Sequence, residues 1–214
     1  MKVLVCGGAG YIGSVCNEYL LDHEHQTVVF DSLELGHKDA VDPRTTELVT
    51  GNLADRDLLM NTLVNGKFDA VMHFAAYSLV GESMKDPGKY FRNNLANAIN
   101  LADAAVAGGV KSIVFSSTAA TFGEPDEIPI RETTTQLPIN PYGESKLCFE
   151  KVLHWYHQIH GLRYVALRYF NAAGASANYG EHHQPETHLI PLILQVAQGK
   201  RDKIMIYGHY NPRT

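Results

Sequence analysis

Short apolar runs alternate with longer segments of helical periodicity along most of this 214-residue chain. The run KVLVCG at 2–7 is apolar on both parities, which is typical of a strand buried on both faces of a sheet. Further strands are predicted at 27–31, 46–52, 68–76, 111–118 and 163–170, and helices at 11–23, 55–64, 83–108 and 142–160. Because strands that alternate with helices form βαβ units, this pattern predicts a doubly wound α/β fold around a parallel sheet.

The pattern changes after residue 171. The following residues, 172–186, are rich in Gly, Ala, Pro and His and predict a loop. A helix at 188–199 and a short strand at 203–208 are predicted after it. We therefore expect two units, a larger one at 1–171 and the beginning of a small second one at 172–214.

Composition narrows the functional classes. With 45% apolar residues, 19% charged residues and a formal net charge of -5, the chain has no electrostatic reason to bind nucleic acid or an anionic membrane. Cys6, Cys16 and Cys148 have the spacing of neither a disulfide framework nor a zinc site. No run approaches the roughly 20 apolar residues of a membrane span, and the first residues lack a signal-peptide pattern. We expect a cytoplasmic protein.

A glycine-rich turn follows the first predicted strand. In VLVCGGAGYIGS, Gly7, Gly10 and Gly13 allow a tight turn, close approach of the backbone to a pyrophosphate, and close packing of helix on strand. The N-terminus of the next helix offers N–H groups to phosphates. Asp31 ends the second strand, where a carboxylate binds both ribose hydroxyls and disfavours a 2′-phosphate. This pattern predicts a Rossmann-type site for NAD rather than NADP.

A tyrosine and a lysine lie one helical turn apart in NPYGESK. Asn140 suits the helix cap and Pro141 the first helical position, so Tyr142 and Lys146 share one face. A nearby ammonium, the helix N-terminus and a nicotinamide cation all favour the phenolate, so we expect the pKa of Tyr142 to be lowered from about 10. Such a phenol acts as a general base and returns the proton later. On its own, the pair is more often a solvated helix face.

The fifth predicted strand brings hydroxyl groups to the edge of the sheet where open α/β sheets bind their ligands. In FSSTAATFG at 115–123, Thr118 is placed to hydrogen-bond the same substrate oxygen that Tyr142 deprotonates. The alternative is that these hydroxyls only close the end of a strand. The glycine turn, the hydroxyl at the strand end and the tyrosine-lysine pair occur in this order, which predicts an NAD-dependent enzyme.

These motifs resemble those of the extended short-chain dehydrogenase/reductase family, and most specifically of its nucleotide-sugar 4-epimerases. The resemblance runs along the whole chain and includes GGAGYIGS, HFAAYSLVGES, FRNNLANAINLADA, FSSTAATFGEP, NPYGESK, LRYFNAAGA and IYGHYNPRT. The first and fifth of these motifs are common to the superfamily, whereas the second, fourth and sixth together are more specific.

The resemblance implies three sets of site residues. Tyr142 is the implied base, Lys146 its electrostatic partner on the nicotinamide ribose, and Thr118 the catalytic hydroxyl. The implied cofactor contacts are Gly7, Gly10, Tyr11, Ile12, Gly13, Asp31, Ser32, Asn52, Leu53, Phe74, Ala75, Ala76, Asn93, Lys146 and Phe170. The implied contacts to the UDP-sugar are Thr118, Tyr142, Asn171, His188, Leu189 and Tyr207. Asn52, Ser78 and His188 depart from the Asp, Lys and Asn that are common in the family.

The implied reaction interconverts UDP-glucose and UDP-galactose. The sugar is oxidised at C4 by NAD, the 4-keto sugar rotates, and it is reduced again from the opposite face. The alternatives are an N-acetylhexosamine or a pentose as the sugar, and a decarboxylase or reductase of the same superfamily. A 4,6-dehydratase needs an acid beside the catalytic hydroxyl, but Ala119 and Ala120 follow Thr118. A non-catalytic NAD-sensing protein would not need Tyr142 and Lys146.

Three further expectations concern the whole molecule. In the family, YNPRT leads into the rest of the substrate domain, so the second unit is predicted to be truncated and the 214-residue chain to bind NAD weakly, with little or no epimerase activity. Family members pair the helices that correspond to 83–108 and 142–160, which implies a homodimer. His182, His183 and His188 have no i, i+4 spacing and no neighbouring cysteine, so we expect no metal site.

Overall fold

The computed structural model describes residues 1–183 and 186–205. Within these residues, six strands form one parallel sheet in the order β3-β2-β1-β4-β5-β6. The strands are β1 (Lys2–Cys6), β2 (Gln26–Asp31), β3 (Glu47–Thr50), β4 (Ala70–His73), β5 (Ser112–Thr118) and β6 (Arg163–Tyr169). The chain runs outwards from β1 to β3 and then returns to β4 on the other side of β1. This confirms the predicted doubly wound, Rossmann-type sheet, whose order reverses between β1 and β4.

Helices connect the strands. In the described part of the chain they are α1 (Tyr11–Asp22), α2 (Arg56–Gly66), α3 (Val80–Ser83), α4 (Pro87–Tyr90), α5 (Asn97–Ala107), α6 (Pro141–His160) and α7 (Leu189–Ala197). None of them combines the length and the apolarity needed to cross a membrane. The predicted cytoplasmic location stays a prediction.

The helix predicted at 83–108 is not continuous, and the prediction is wrong over residues 84–86, which separate two helices. α3 ends at Ser83, and a new helical run begins at Pro87, passes through a π-helical segment at Phe91–Ala96 and continues as α5. Proline has no N–H and restricts the residue before it, so Asp86 is non-helical and caps α4 by accepting a hydrogen bond from the Lys89 N–H. The apolar periodicity continued across this break and concealed it.

The segment after residue 171 agrees with its prediction in part. Residues 172–183 form irregular structure, as expected, and α7 lies inside the helix predicted at 188–199. The strand predicted at 203–208 is wrong over 203–205, which are irregular, and its remainder lies outside the described residues. The division into units at residue 171 stays a prediction.

The two faces of the sheet are covered unequally. The larger core cluster, which includes Leu4, Phe30 and Phe115, packs the sheet against α2, α5 and α6. On the opposite face the cluster of fully buried residues is smaller and centres on β1 and β2. At β6 that face is open, since Val165 is 53% exposed and Leu167 38% exposed.

Candidate active site

The predicted site residues meet in one cavity of about 1210 Å³ at the carboxyl ends of the strands. Those that line it are Gly7, Gly10, Tyr11, Ile12, Gly13, Asp31, Ser32, Asn52, Leu53, Phe74, Ala75, Ala76, Asn93, Thr118, Tyr142, Lys146, Phe170, Asn171, His188 and Leu189. Tyr207 lies outside the described residues. Residues far apart in sequence are therefore brought together as the motifs predicted, while their individual roles stay predictions.

The glycine turn between β1 and α1 has no room for a side chain at Gly7 or at Gly13. Gly7 has φ +82, and a Cβ on it would lie 2.5 Å from the backbone nitrogen of Ala75. A Cβ on Gly13 would collide with the carbonyl of Gly7, so the helix packs directly on the turn. Gly10 is the N-cap of α1 and gives no side-chain cap, which leaves the first N–H groups of the helix available to a ligand.

Asp31 lies beside this turn and is almost buried. Its Oδ2 accepts a hydrogen bond from Ala9 N at 3.0 Å, and its Oδ1 accepts one from Leu33 N at 2.9 Å. His37 N donates to Ala9 O at 2.9 Å, so the loop after β2 is tied to the glycine turn. A carboxylate offers about four lone-pair sites, which leaves Asp31 able to accept hydrogen bonds from a ribose.

The first turn of α6 is pressed against the turn that follows β5. Asn140 Oδ1 accepts a hydrogen bond from Gly143 N at 2.8 Å and caps the helix, as predicted. A Cβ on Gly143 would lie 2.5 Å from the carbonyl oxygen of Ala120, so only glycine permits this approach. The close packing brings the Tyr142 side chain and the Thr118 hydroxyl into the same part of the cavity.

Lys146 is held under the cavity by β5. Its side chain is buried, and its Nζ donates to the carbonyl oxygen of Ser116 at 2.8 Å and lies 4.8 Å from the ring centroid of Phe115. Burial lowers the pKa of Lys146 to about 7, because the charged form loses its hydration. The buried His73 responds in the same direction, since burial and the nearby Lys146 lower its pKa to about 3.

The prediction that the pKa of Tyr142 is lowered is wrong when only the protein's own groups act on the phenol. Burial raises the pKa of Tyr142, and the nearby Thr118 hydroxyl opposes this increase. The Lys146 ammonium is engaged with the Ser116 carbonyl and is partly neutralised by its own lowered pKa. Helical spacing placed the two residues correctly, but it did not report how deeply both are buried.

A pair of asparagines in the π-helical segment supports the cavity wall. Asn93 lines the cavity, whereas Asn94 faces inwards and fixes the segment after β4. Asn94 Oδ1 accepts from Tyr77 N at 3.0 Å, and its Nδ2 donates to Tyr77 O at 2.9 Å and to Ser145 Oγ at 3.3 Å. π-Helical turns are frequent at functional sites. Asn94 was not predicted, although the NN pair in FRNNLAN was a signal.

A buried ion pair connects α6 to the two strands beside it. Arg168 of β6 donates to Glu150 through Nε at 3.1 Å and through Nη2 at 2.7 Å. Ser117 Oγ donates a short hydrogen bond to the same carboxylate. Because Ser117 precedes Thr118 and Glu150 lies on the helix that carries Tyr142, this contact fixes the end of β5 against α6. No spacing along the chain predicted this contact.

Residues 172–183 line part of the cavity and are attached to α1 and to the loop after β2. Tyr11 Oη donates to Gly174 O at 2.5 Å, and the rings of His37 and His182 stack with centroids 4.6 Å apart. Asn178 Nδ2 donates to Glu18 Oε1 at 2.5 Å. The cavity is also lined by residues that the sequence analysis did not assign to the site, among them Gly36, His37, Tyr77 and Tyr179.

The histidine-rich segment is more ordered than its spacing suggested. Donor atoms of Glu181, His183, Glu186 and His188 lie within 4.8 Å of one another. Hydrogen bonding accounts for this arrangement, since His188 Nδ1 lies 2.8 Å from Glu181 Oε1 and 2.9 Å from Glu186 Oε1. Glu186 Oε1 also accepts from the backbone N–H groups of Thr187 and His188. The expectation that no metal binds here stays a prediction.

The sequence is similar to a known protein family and to several of its members. The sequence matches the model of the NAD dependent epimerase/dehydratase family over residues 3–214. The chain belongs to this family. A UDP-glucose 4-epimerase from Streptococcus mutans is 57% identical over 212 residues, which are 97% of this chain and 63% of that protein. The resemblance to nucleotide-sugar 4-epimerases that the motifs carried is thereby confirmed.

Solved structures of the same family are also similar. UDP-glucose 4-epimerase from Brucella ovis in complex with NAD has a TM-score of 0.93 and 45% identity, covering 97% of this chain and 64% of that one. The enzyme from Bifidobacterium longum in complex with NAD⁺ and UDP has a TM-score of 0.91 and 32% identity, covering 97% and 65%. The chain spans only 62–64% of the length of the first curated relatives that it matches.

Proposed function

We propose that the cavity binds NAD and a UDP-sugar, and that the protein interconverts UDP-glucose and UDP-galactose at C4. One observation carries this proposal. A single cavity holds both the glycine turn with Asp31 and the group of Thr118, Tyr142 and Lys146. The first set suits a dinucleotide and the second suits proton transfer at a hydroxyl group.

The residues of the nucleotide side fit NAD. The glycine turn has no side-chain atoms between the backbone and a pyrophosphate, and the N-terminus of α1 has N–H groups without a side-chain cap. The Asp31 carboxylate favours ribose hydroxyls over a 2′-phosphate. At the other end, Lys146 Nζ donates to one acceptor among the described residues, Ser116 O, and an ammonium has three donors, which leaves donor capacity for the hydroxyls of the nicotinamide ribose.

The proton steps follow from the positions of the chain's own residues. Tyr142 takes the proton of the C4 hydroxyl and returns it after the sugar has rotated, while Thr118 hydrogen-bonds the same oxygen. When bound, NAD would supply the hydride acceptor and a positive charge. Because burial raises the pKa of Tyr142, the phenol holds its proton firmly until that charge is present. Tyr142 is thereby a weak base without the cofactor and a stronger one with it.

The opposite end of the cavity is suited to the nucleotide of the sugar. Asn171 follows β6, and His188 and Leu189 lie at the start of α7, where they line the same cavity. The B. longum enzyme was solved with UDP, which supports the same ligand class here. Neither Ala119 nor Ala120 can protonate a leaving group, so the residues favour epimerisation over a 4,6-dehydratase reaction.

We also propose a homodimer through α5 and α6. Trp155 and Ile159 of α6 are four residues apart on one helix face and are 63% and 69% exposed. Apolar side chains of this size, exposed side by side, are typical of an interaction surface. Sedimentation of the chain at micromolar concentration should show a dimer that Trp155→Glu dissociates. A wild-type monomer under these conditions would refute the interface.

The proposed reaction is tested by its first half. The purified chain is mixed with NAD and UDP-galactose, and reduced nicotinamide is measured by its absorbance and fluorescence, with UDP-N-acetylgalactosamine as the alternative sugar. We expect the wild type to reduce NAD with UDP-galactose slowly, in keeping with the low activity predicted for this chain, and Tyr142→Phe to lower that rate by a further 10²–10⁴-fold, roughly. Wild-type rates in Tyr142→Phe would show that the phenol does not transfer the proton.

A further inference from the structure

Two side chains meet across the dinucleotide side of the cavity. Tyr77 Oη, on the segment after β4, donates a hydrogen bond to Glu34 Oε1, on the loop after β2, at 2.5 Å. In the sheet, β2 and β4 are the two neighbours of β1, and the glycine turn follows β1. The hydrogen bond therefore connects the loops on the two sides of the glycine turn, and both residues line the same cavity as Gly7 and Gly10.

The tyrosine is fixed in position from its own side. Asn94 holds the backbone of Tyr77 through both its N–H and its carbonyl group. Lys89 Nζ lies 4.0 Å from the ring centroid of Tyr77 and 2.8 Å from Glu82 Oε1. The ring of Tyr90 lies 6.0 Å away. Burial and the neighbouring Glu34 raise the pKa of Tyr77 to about 12, so the phenol keeps its proton and acts as the donor.

The loop that carries the glutamate is shaped for the same contact. Leu33 has φ +58, a left-handed conformation that costs a branched residue about 1 kcal/mol or more. Leu33 N is held by Asp31 Oδ1, and Glu34 N donates to Ser32 Oγ at 3.3 Å. Strained residues of this kind cluster at ligand clamps. The turn directs Glu34 away from β2 and towards Tyr77.

We propose that Tyr77 and Glu34 form a clasp that closes over the pyrophosphate of bound NAD and slows its release. The proposal rests on the NAD site described under the proposed function. A hydrogen bond from a phenol to a carboxylate is charge-assisted and stronger than one between neutral groups. Glu34 is exposed, so the hydrogen bond contributes little to the stability of the fold. Its main effect is on the rates at which NAD enters and leaves this side of the cavity.

A clasp and a merely structural contact differ in their expected effect on the rates of NAD association and dissociation. NAD enters and leaves through an opening that the clasp narrows, so its removal accelerates association as well as dissociation. General loosening of the site would instead accelerate dissociation and leave association unchanged or slower. Each tenfold change in a rate corresponds to about 1.4 kcal/mol in its barrier.

The experiment measures NADH binding to the 214-residue chain by stopped-flow fluorescence, with excess NAD as the competitor for dissociation. The variants are Tyr77→Phe, which keeps the ring and loses the hydroxyl, Glu34→Gln, and the double variant. Tyr19→Phe is the matched control, because Tyr19 is 62% exposed on α1 and does not line the cavity. Thermal unfolding of each variant reports on folding.

We expect both single variants to release NADH about tenfold faster and to bind it faster, with the double variant no faster than either single one. Tyr19→Phe should behave as the wild type. Wild-type rates in Tyr77→Phe, or independent effects that add in the double variant, would overturn the clasp while the NAD site stands. If the wild type itself does not bind NADH, the proposed function fails and the clasp fails with it.

Discussion

The two sides of the cavity are built by different physical means. On the nucleotide side, around the glycine turn and Asp31, the shape is set by backbone and by the absence of side chains. On the proposed catalytic side, where α6 packs on β5 and β6, it is set by the buried Lys146 and Glu150 and the half-buried Arg168. Backbone geometry leaves a clear trace in sequence. A buried charge depends on the neighbours that the fold places around it, so it is almost impossible to recognise in the sequence.

The sharpest test of this difference is Arg168→Met. The Glu150 side chain is 8% exposed and the Arg168 side chain 23% exposed, so the variant leaves a carboxylate in the interior without its cation. We expect the free energy of unfolding to fall by about 3 kcal/mol, measured by urea denaturation. The double variant Glu150→Gln with Arg168→Met should recover part of the loss, because the unpaired charge is then absent.

A surface ion pair provides the control for that experiment. Arg56 Nη2 lies 3.6 Å from Asp103 Oδ2, and the two side chains are 67% and 39% exposed. Arg56→Met should therefore change stability by less than about 1 kcal/mol. Equal effects in Arg168→Met and Arg56→Met would contradict the view that buried charge organises the catalytic side.

The nucleotide side should be sensitive to a single added carbon atom. In Gly13→Ala the new Cβ collides with the Gly7 carbonyl, and we expect a loss of about 1–3 kcal/mol in stability together with a loss of NADH binding. Gly81→Ala is the matched control, since a Cβ at Gly81 meets nothing within 4 Å although Gly81 lines the same cavity. Unchanged NADH binding by Gly13→Ala, measured by fluorescence titration, would show that the turn does not hold the cofactor.

Buried charge on the catalytic side should also appear as a pH dependence. The pKa of Lys146 is lowered from 10.5 to about 7 in the folded state, so between these values the unfolded chain binds more protons and stability rises with pH. We expect a gain of about 1 kcal/mol between pH 7 and pH 8. Above that window the raised pKa values of Cys6 and Cys16 act in the opposite direction.

The Lys146→Met variant isolates this contribution. It keeps a long side chain in the same place and removes the titrating group, while the other ionisable groups are common to both proteins. The difference in the free energy of unfolding between wild type and variant should therefore increase with pH between pH 7 and pH 8. A wild-type slope that persists in Lys146→Met would assign the effect to another group.

The sequence predicted the sheet, the glycine turn and the position of Tyr142 because these follow from local periodicity and spacing. It failed at Pro87, where apolar periodicity continued across a break in the helix. It also failed for the pKa of Tyr142, because spacing along a helix does not reveal that Lys146 bonds Ser116 and that both side chains are buried. Asn94, Glu34 and Tyr77 were missed for the same reason, since each acts through a residue distant in sequence.

The most direct test of the account is the crystal structure of this chain with NAD. We expect the adenosine ribose to lie on Asp31, the pyrophosphate on the glycine turn and the N-terminus of α1, and the nicotinamide ring beside Tyr142 and Lys146. A dinucleotide bound outside this cavity, or one whose nicotinamide ring points away from the Tyr142 hydroxyl, would contradict it.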